Sequence, residues 1–87
     1  MAELRTNKVK HKLASGEVAT VVGGYLNADL VEFLGHLGFD GIWIEAEHGP
    51  VDFADLGNLT RACDLWGTAS IVRINLNLHG VIYRTLD

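Results

Sequence analysis

Four residues in this 87-residue chain combine types and spacing that could do chemistry: Glu45, Glu47, His48 and Arg73. Two carboxyls and an imidazole fall within four positions, and Gly49-Pro50 then turns the chain away. An imidazole beside a carboxylate is a general base, because the carboxylate fixes the tautomer and raises the basicity of the ring. By residue type alone the cluster is equally a loop in which a carboxylate caps or pairs a neighbour. A metal site is a weaker reading, since adjacent residues seldom chelate one ion well. Arg73 ends an apolar run, where an ordinary surface charge is out of place. A guanidinium there can bind a carboxylate in two-point fashion or stabilise an enolate. Its structural alternative is an ion pair across the rim with Glu45.

The elements that must position these residues follow a regular punctuation. Asn7 caps a short helix through Leu13, and Ser15-Gly16 stops it. Val18 to Val22 is β-branched and nearly continuous in apolarity, the signature of a strand buried on both faces. Asn27 caps a helix with Leu30, Val31, Leu34 and Leu37 at helical spacing, and Gly38 ends it. Ile42-Trp43-Ile44 is a second strand. Asp52 caps a helix with the stripe Phe53, Leu56, Leu59, Cys63 and Trp66, closed by Gly67. Ala69 to Arg73 is a third strand, and a further helix runs from His79 to Leu86.

Strand and helix in alternation predict an α/β fold with a parallel sheet and right-handed crossovers. Three units leave two open sheet edges, and a (β/α)₈ barrel needs about 250 residues. The chain therefore reads as a partial (β/α)₈ TIM barrel: about three parallel β/α units after a short N-terminal helix, with residues 1–87 one piece of a single domain. Sites in such folds gather at the carboxyl ends of the strands. That rule selects Gly23-Gly24-Tyr25, Glu45 to Pro50, and Arg73.

Composition narrows the function classes. Apolar residues make 48% and charged residues 21% of the chain, so a disordered tail is excluded. No apolar run reaches the roughly 18 residues of a membrane span, and no apolar stretch follows the polar N-terminus as a secretory signal requires. Cys63 is alone, which suits a reducing, cytoplasmic setting. Arg5, Lys8, Lys10 and Lys12 place four of the seven basic residues in the first twelve positions. With no aromatic among them, the expectation is the polar face of a surface helix, and no nucleic acid is expected as partner. Cys63 and the two tryptophans read as packing residues, His36 as solvated, and His79 as a helix-start residue. Gly23-Gly24 lacks the third glycine of a dinucleotide fingerprint.

The residues Leu-Val-Glu-Phe-Leu-Gly-His-Leu-Gly-Phe-Asp (30–40), Ile-Trp-Ile-Glu-Ala-Glu-His-Gly-Pro (42–50) and Ile-Val-Arg (71–73) resemble, in order and spacing, the N-terminal third of the HpcH/HpaI aldolase family. The resemblance implies a (β/α)₈ barrel and a metal-dependent pyruvate aldolase. Such an enzyme cleaves a 4-hydroxy-2-oxo acid to pyruvate and an aldehyde. It implies His48 as catalytic base, Glu45 as the acidic residue supporting it, and Arg73 as the residue contacting pyruvate's carboxylate and keto oxygen. It implies a divalent metal ion (Mg, Mn or Co) whose ligands, a Glu and an Asp on later strands, are not in this chain. A homo-oligomer is implied for the full-length protein, and no activity for these residues alone. The chain departs from the family pattern at Val22, at Glu45 where Asp is common, and at Asn77-Leu78-His79. A second expectation is a non-catalytic α/β binding or assembly module derived from the family.

Overall fold

The computed structural model describes residues 6–24, 27–47 and 51–86. Three strands, β1 (Val21–Gly23), β2 (Gly41–Glu45) and β3 (Ala69–Arg73), form one parallel sheet in the order β1-β2-β3. Four helices accompany them: α1 (Lys8–Ala14), α2 (Ala28–His36), α3 (Phe53–Leu65) and α4 (His79–Leu86). The register aligns Val21 with Gly41, Gly41 with Ala69, and Glu45 with Arg73.

Local chemistry starts each of the first three helices where the side chains can cap. The Asn7 and Asn27 side chains accept the backbone N–H of Lys10 and Leu30 at 3.0 and 2.8 Å. Asp52 and Asp55 form a reciprocal capping box at the start of α3. Gly16, Gly38 and Gly67 lie beyond the helix ends at φ of 76°, 97° and 64°, which glycine adopts without strain.

Packing follows the alternation of the strands. Ile42 and Ile44 are fully buried on the face that α2 and α3 cover, with Val31, Leu56, Leu59, Ala62 and Cys63. Each of these isoleucines contributes roughly 2–5 kcal/mol against truncation to alanine. Gly41, Trp43 and Glu45 point to the opposite face. There α1 crosses the amino ends of the strands, and a Cβ on Gly41 would lie 2.9 Å from Val9 Cγ2. Beyond α1 that face is open, and Trp43 is 39% exposed.

The first strand differs from expectation. Val18, Ala19 and Thr20 are not strand, and Val18 is 82% exposed. The reason is register: Val21 already pairs with the first residue of β2, so Val18 and Ala19 lie before the ladder begins, while the Thr20 carbonyl accepts the Asp40 and Gly41 N–H groups at 2.9 and 3.0 Å at its edge. Of the helix stripes, Leu30, Leu37 and Trp66 are also exposed rather than core. The other two strands and the start of α4 lie where the sequence predicts.

The basic N-terminal residues also have a more specific role than a solvated face. Asp40, 2% exposed, accepts the Thr20 N–H at 2.9 Å. The Lys12 and Lys8 ammonium groups stand 2.9 and 3.3 Å from its other oxygen. The Thr20 amide and these ammonium groups hold its carboxyl well below the usual carboxylate range. Two residues of α1 are thus pinned to the amino end of β2. Arg5 lies outside the described residues.

Candidate active site

The carboxyl ends of β2 and β3 meet because parallel register brings Glu45 opposite Arg73. Both end their strands, so their side chains project at the rim on the same open face of the sheet. Arg73 NH1 lies 3.3 Å from Glu45 Oε2, and Arg73 Nε lies 2.5 Å from Glu47 Oε2. The Arg73 side chain is 44% exposed, against 22% for Glu45 and 30% for Glu47. At that exposure each pair adds only about 0.2–1 kcal/mol to stability. The pair with Glu45 is the ion pair across the rim that stands as the structural alternative for Arg73.

Glu45 organises the turn that leaves β2. Its Oε1 accepts the Glu47 N–H at 2.9 Å, and its Oε2 accepts Trp43 Nε1–H at 3.5 Å as well as the Arg73 contact. The Ala46 N–H donates to the Arg73 carbonyl at 3.0 Å, continuing the ladder one step past the strands. The backbone immediately before His48 is thereby held from both sides. His48, Gly49 and Pro50 themselves lie outside the described residues, as does Tyr25.

Gly23 completes the rim. A Cβ there would lie 3.0 Å from Trp43 Cβ and 3.2 Å from its Cδ1, so the absent side chain makes room for the indole beside β1. The Trp43 indole thus lines the open face rather than filling a core. Neither its hydrogen bond to Glu45 nor the grip of Glu47 on Arg73 was among the sequence expectations. The crowding of Glu45, Glu47 and Trp43 within five positions was the available signal for both.

Glu45, Glu47 and Arg73 sum to one net negative charge at the rim. Both carboxylates lean on the guanidinium. Among the described residues no group of three or more His, Cys, Asp and Glu could hold a metal ion. These residues do not fit as the ligand set of a divalent cation. The other titratable groups sit elsewhere. Cys63 is buried in the α3 core, where burial and nearby Asp64 push its thiol up to about 11. His36 is exposed as expected and meets the Trp66 ring edge-on at 5.1 Å. His79 opens α4 and stacks on Tyr83. Among the described residues no helix is long and apolar enough to cross a membrane.

Comparison with known proteins gives this geometry a context. No protein-family model matches the chain. A curated relative, the 2-dehydro-3,6-dideoxy-6-sulfogluconate aldolase of Pseudomonas putida, is 36% identical over 61 residues. Those residues are 70% of this chain and 24% of that protein. The crystal structure of an HpcH/HpaI aldolase from Desulfitobacterium hafniense DCB-2 superposes with a TM-score of 0.78 at 27% identity, over 94% of this chain and 32% of that one. The crystal structure of the citrate synthase SbnG superposes with a TM-score of 0.84 at 24% identity, over 94% of this chain and 34% of that one, a likeness of fold. The chain thus spans about a quarter to a third of the length of these proteins.

Proposed function

Because the chain belongs to the HpcH/HpaI aldolase family over part of that family's length, we propose that its strand-end cluster is one portion of an aldolase site cleaving a 4-hydroxy-2-oxo acid to pyruvate and an aldehyde. Residues 1–87 are then one piece of a single barrel domain. The observation that supports the reading is the register that sets Glu45 and Arg73 at adjacent strand ends on one open rim, with the Arg73 side chain 44% exposed.

Each residue has a role in that chemistry. His48 takes the proton from the 4-hydroxyl, and the C4–O bond becomes the aldehyde carbonyl. The C3–C4 bond breaks, and its electron pair becomes the enolate of pyruvate. Arg73 stabilises that charge through the carboxylate and the keto oxygen, with N–H donors in place before the charge develops. The enolate carbon then takes a proton from the protonated His48, directly or through water, which returns the base to its starting form. Glu45 supports His48 by holding the Glu47 amide and so the direction of the turn. A divalent metal ion (Mg, Mn or Co) would supply Lewis-acid chemistry from ligands outside this chain.

The test is an incubation of the chain with a 4-hydroxy-2-oxo acid and Mg or Mn, with pyruvate read by lactate dehydrogenase. The 87 residues alone release none, and they bind pyruvate in an Arg73-dependent way. Metal-dependent pyruvate release by this chain would refute the assignment of the metal ligands to residues outside it. Absence of Arg73-dependent binding would refute the site.

A second reading, a non-catalytic assembly module, draws on the exposure of Val21 and Trp43 on the uncovered sheet face. Light scattering after size-exclusion chromatography separates the two: a clean monomer counts against assembly through that face.

A further inference from the structure

The two carboxylates on Arg73 are held differently. Glu45 belongs to β2, is the less exposed of the pair, and is tied by the Glu47 amide and the Trp43 indole as well as by Arg73. Glu47 lies beyond the strand end and stands against Arg73 Nε. A carboxylate ligand binds a guanidinium best through two parallel N–H bonds along one edge. The Nε edge is one such edge, and Glu47 Oε2 stands on it at 2.5 Å. An arriving anion also meets the net negative charge of Glu45, Glu47 and Arg73.

The geometry points to Glu47 as an internal stand-in for the ligand: its carboxylate occupies the Nε edge of Arg73 in the free chain, and a 2-oxo acid takes that edge by displacing it. The inference rests on Arg73 being the carboxylate-binding residue of the proposed site. Glu47 is then a positioning and specificity residue. It keeps the guanidinium aimed at the rim while the site is empty, and it admits only a ligand whose own carboxylate can compete with it.

Pyruvate and its methyl ester distinguish this role from a merely structural one, because only pyruvate carries the competing charge. The Trp43 indole N–H signal reports from the site, being hydrogen-bonded to Glu45, and the Trp66 indole serves as internal control. In titrations of the chain, Glu47→Gln and Glu47→Ala bind pyruvate roughly two- to fivefold tighter than the parent, the worth of an exposed ion pair. Their response to methyl pyruvate is unchanged. Arg73→Met loses the saturable pyruvate shift.

Several outcomes would overturn the inference. Equal or weaker pyruvate binding by both Glu47 variants, with Arg73→Met still losing it, removes the role of Glu47 and leaves Arg73 as the binding residue. Equal changes for acid and ester reduce Glu47 to a structural part of the rim. Parent-like binding by Arg73→Met, or no shift in any variant, overturns both this inference and the site it rests on.

Discussion

Replacing Gly35 by alanine tests how α2 and α3 are seated against each other. Gly35 lies in α2, and a Cβ there would stand 2.8 Å from Trp66 Cβ, 2.9 Å from Cγ and 3.0 Å from Cδ1. The first two of these atoms are close to the backbone of Trp66, which caps α3 just after Leu65, so the ring cannot simply rotate away. Overpacking of this kind costs about 2 kcal/mol. Alanine in place of a helical glycine returns about 1 kcal/mol. The net effect is a loss of about 1 kcal/mol, which lowers the urea midpoint by roughly 1 M for a chain this small. Circular dichroism during urea unfolding is the assay, and the control is the same change in a Trp66→Gly background. With the three opposing atoms gone, only the helix term remains, and Gly35→Ala becomes stabilising by about 1 kcal/mol. A raised midpoint in the parent background, or the same shift in both backgrounds, would show that Trp66 does not crowd position 35.

Two further predictions concern pH and burial. The Asp40 carboxyl is held below its ordinary value of 3.8, so the stability it contributes is present above that value and is lost as pH falls below it. Asp40→Asn therefore lowers stability at neutral pH and flattens the acid limb, and added salt weakens the parent but not the variant; an unchanged acid limb would contradict this. The Cys63 thiol is raised from 9.0 to about 11, so its contribution is intact below pH 9 and is lost as pH rises toward 11. Unfolding free energy falls across that interval in the parent and less in Cys63→Ala, and iodoacetamide labels the folded chain slowly at pH 8 but rapidly in urea.

How much of this was legible in the sequence depends on the range of each interaction. Asn7, Asn27 and Asp52 cap helices through bonds spanning one to three residues, and all three could be read directly. The meeting of Glu45 and Arg73 was legible too, because strand ends in consecutive parallel units share a rim. Val18 to Thr20 misled because β-branching describes a preference for strand, whereas pairing is decided by a partner, and β2 offers its first position to Val21. The clamp of Lys8 and Lys12 on Asp40 was hidden for a different reason. It joins residues about 30 positions apart, and nothing in the types of three charged residues says that one of them is buried. A buried carboxylate must find cations, so the burial of Asp40, once seen, accounts for the lysines. The hold of Glu47 on Arg73 required the turn after β2, which Glu45 sets through a backbone amide.

The proposed carboxylate site lies at the carboxyl ends of the strands and not at the amino ends, where Lys8 and Lys12 offer rival cations. A pyruvate titration followed by backbone amide shifts decides between these ends. A site at the carboxyl ends gives saturable shifts clustered at Gly23 and Gly24, at Glu45 to Glu47, and at Arg73 to Asn75, all abolished by Arg73→Met. Shifts centred on Thr20, Asp40 and Thr68, or shifts that survive Arg73→Met, would contradict it.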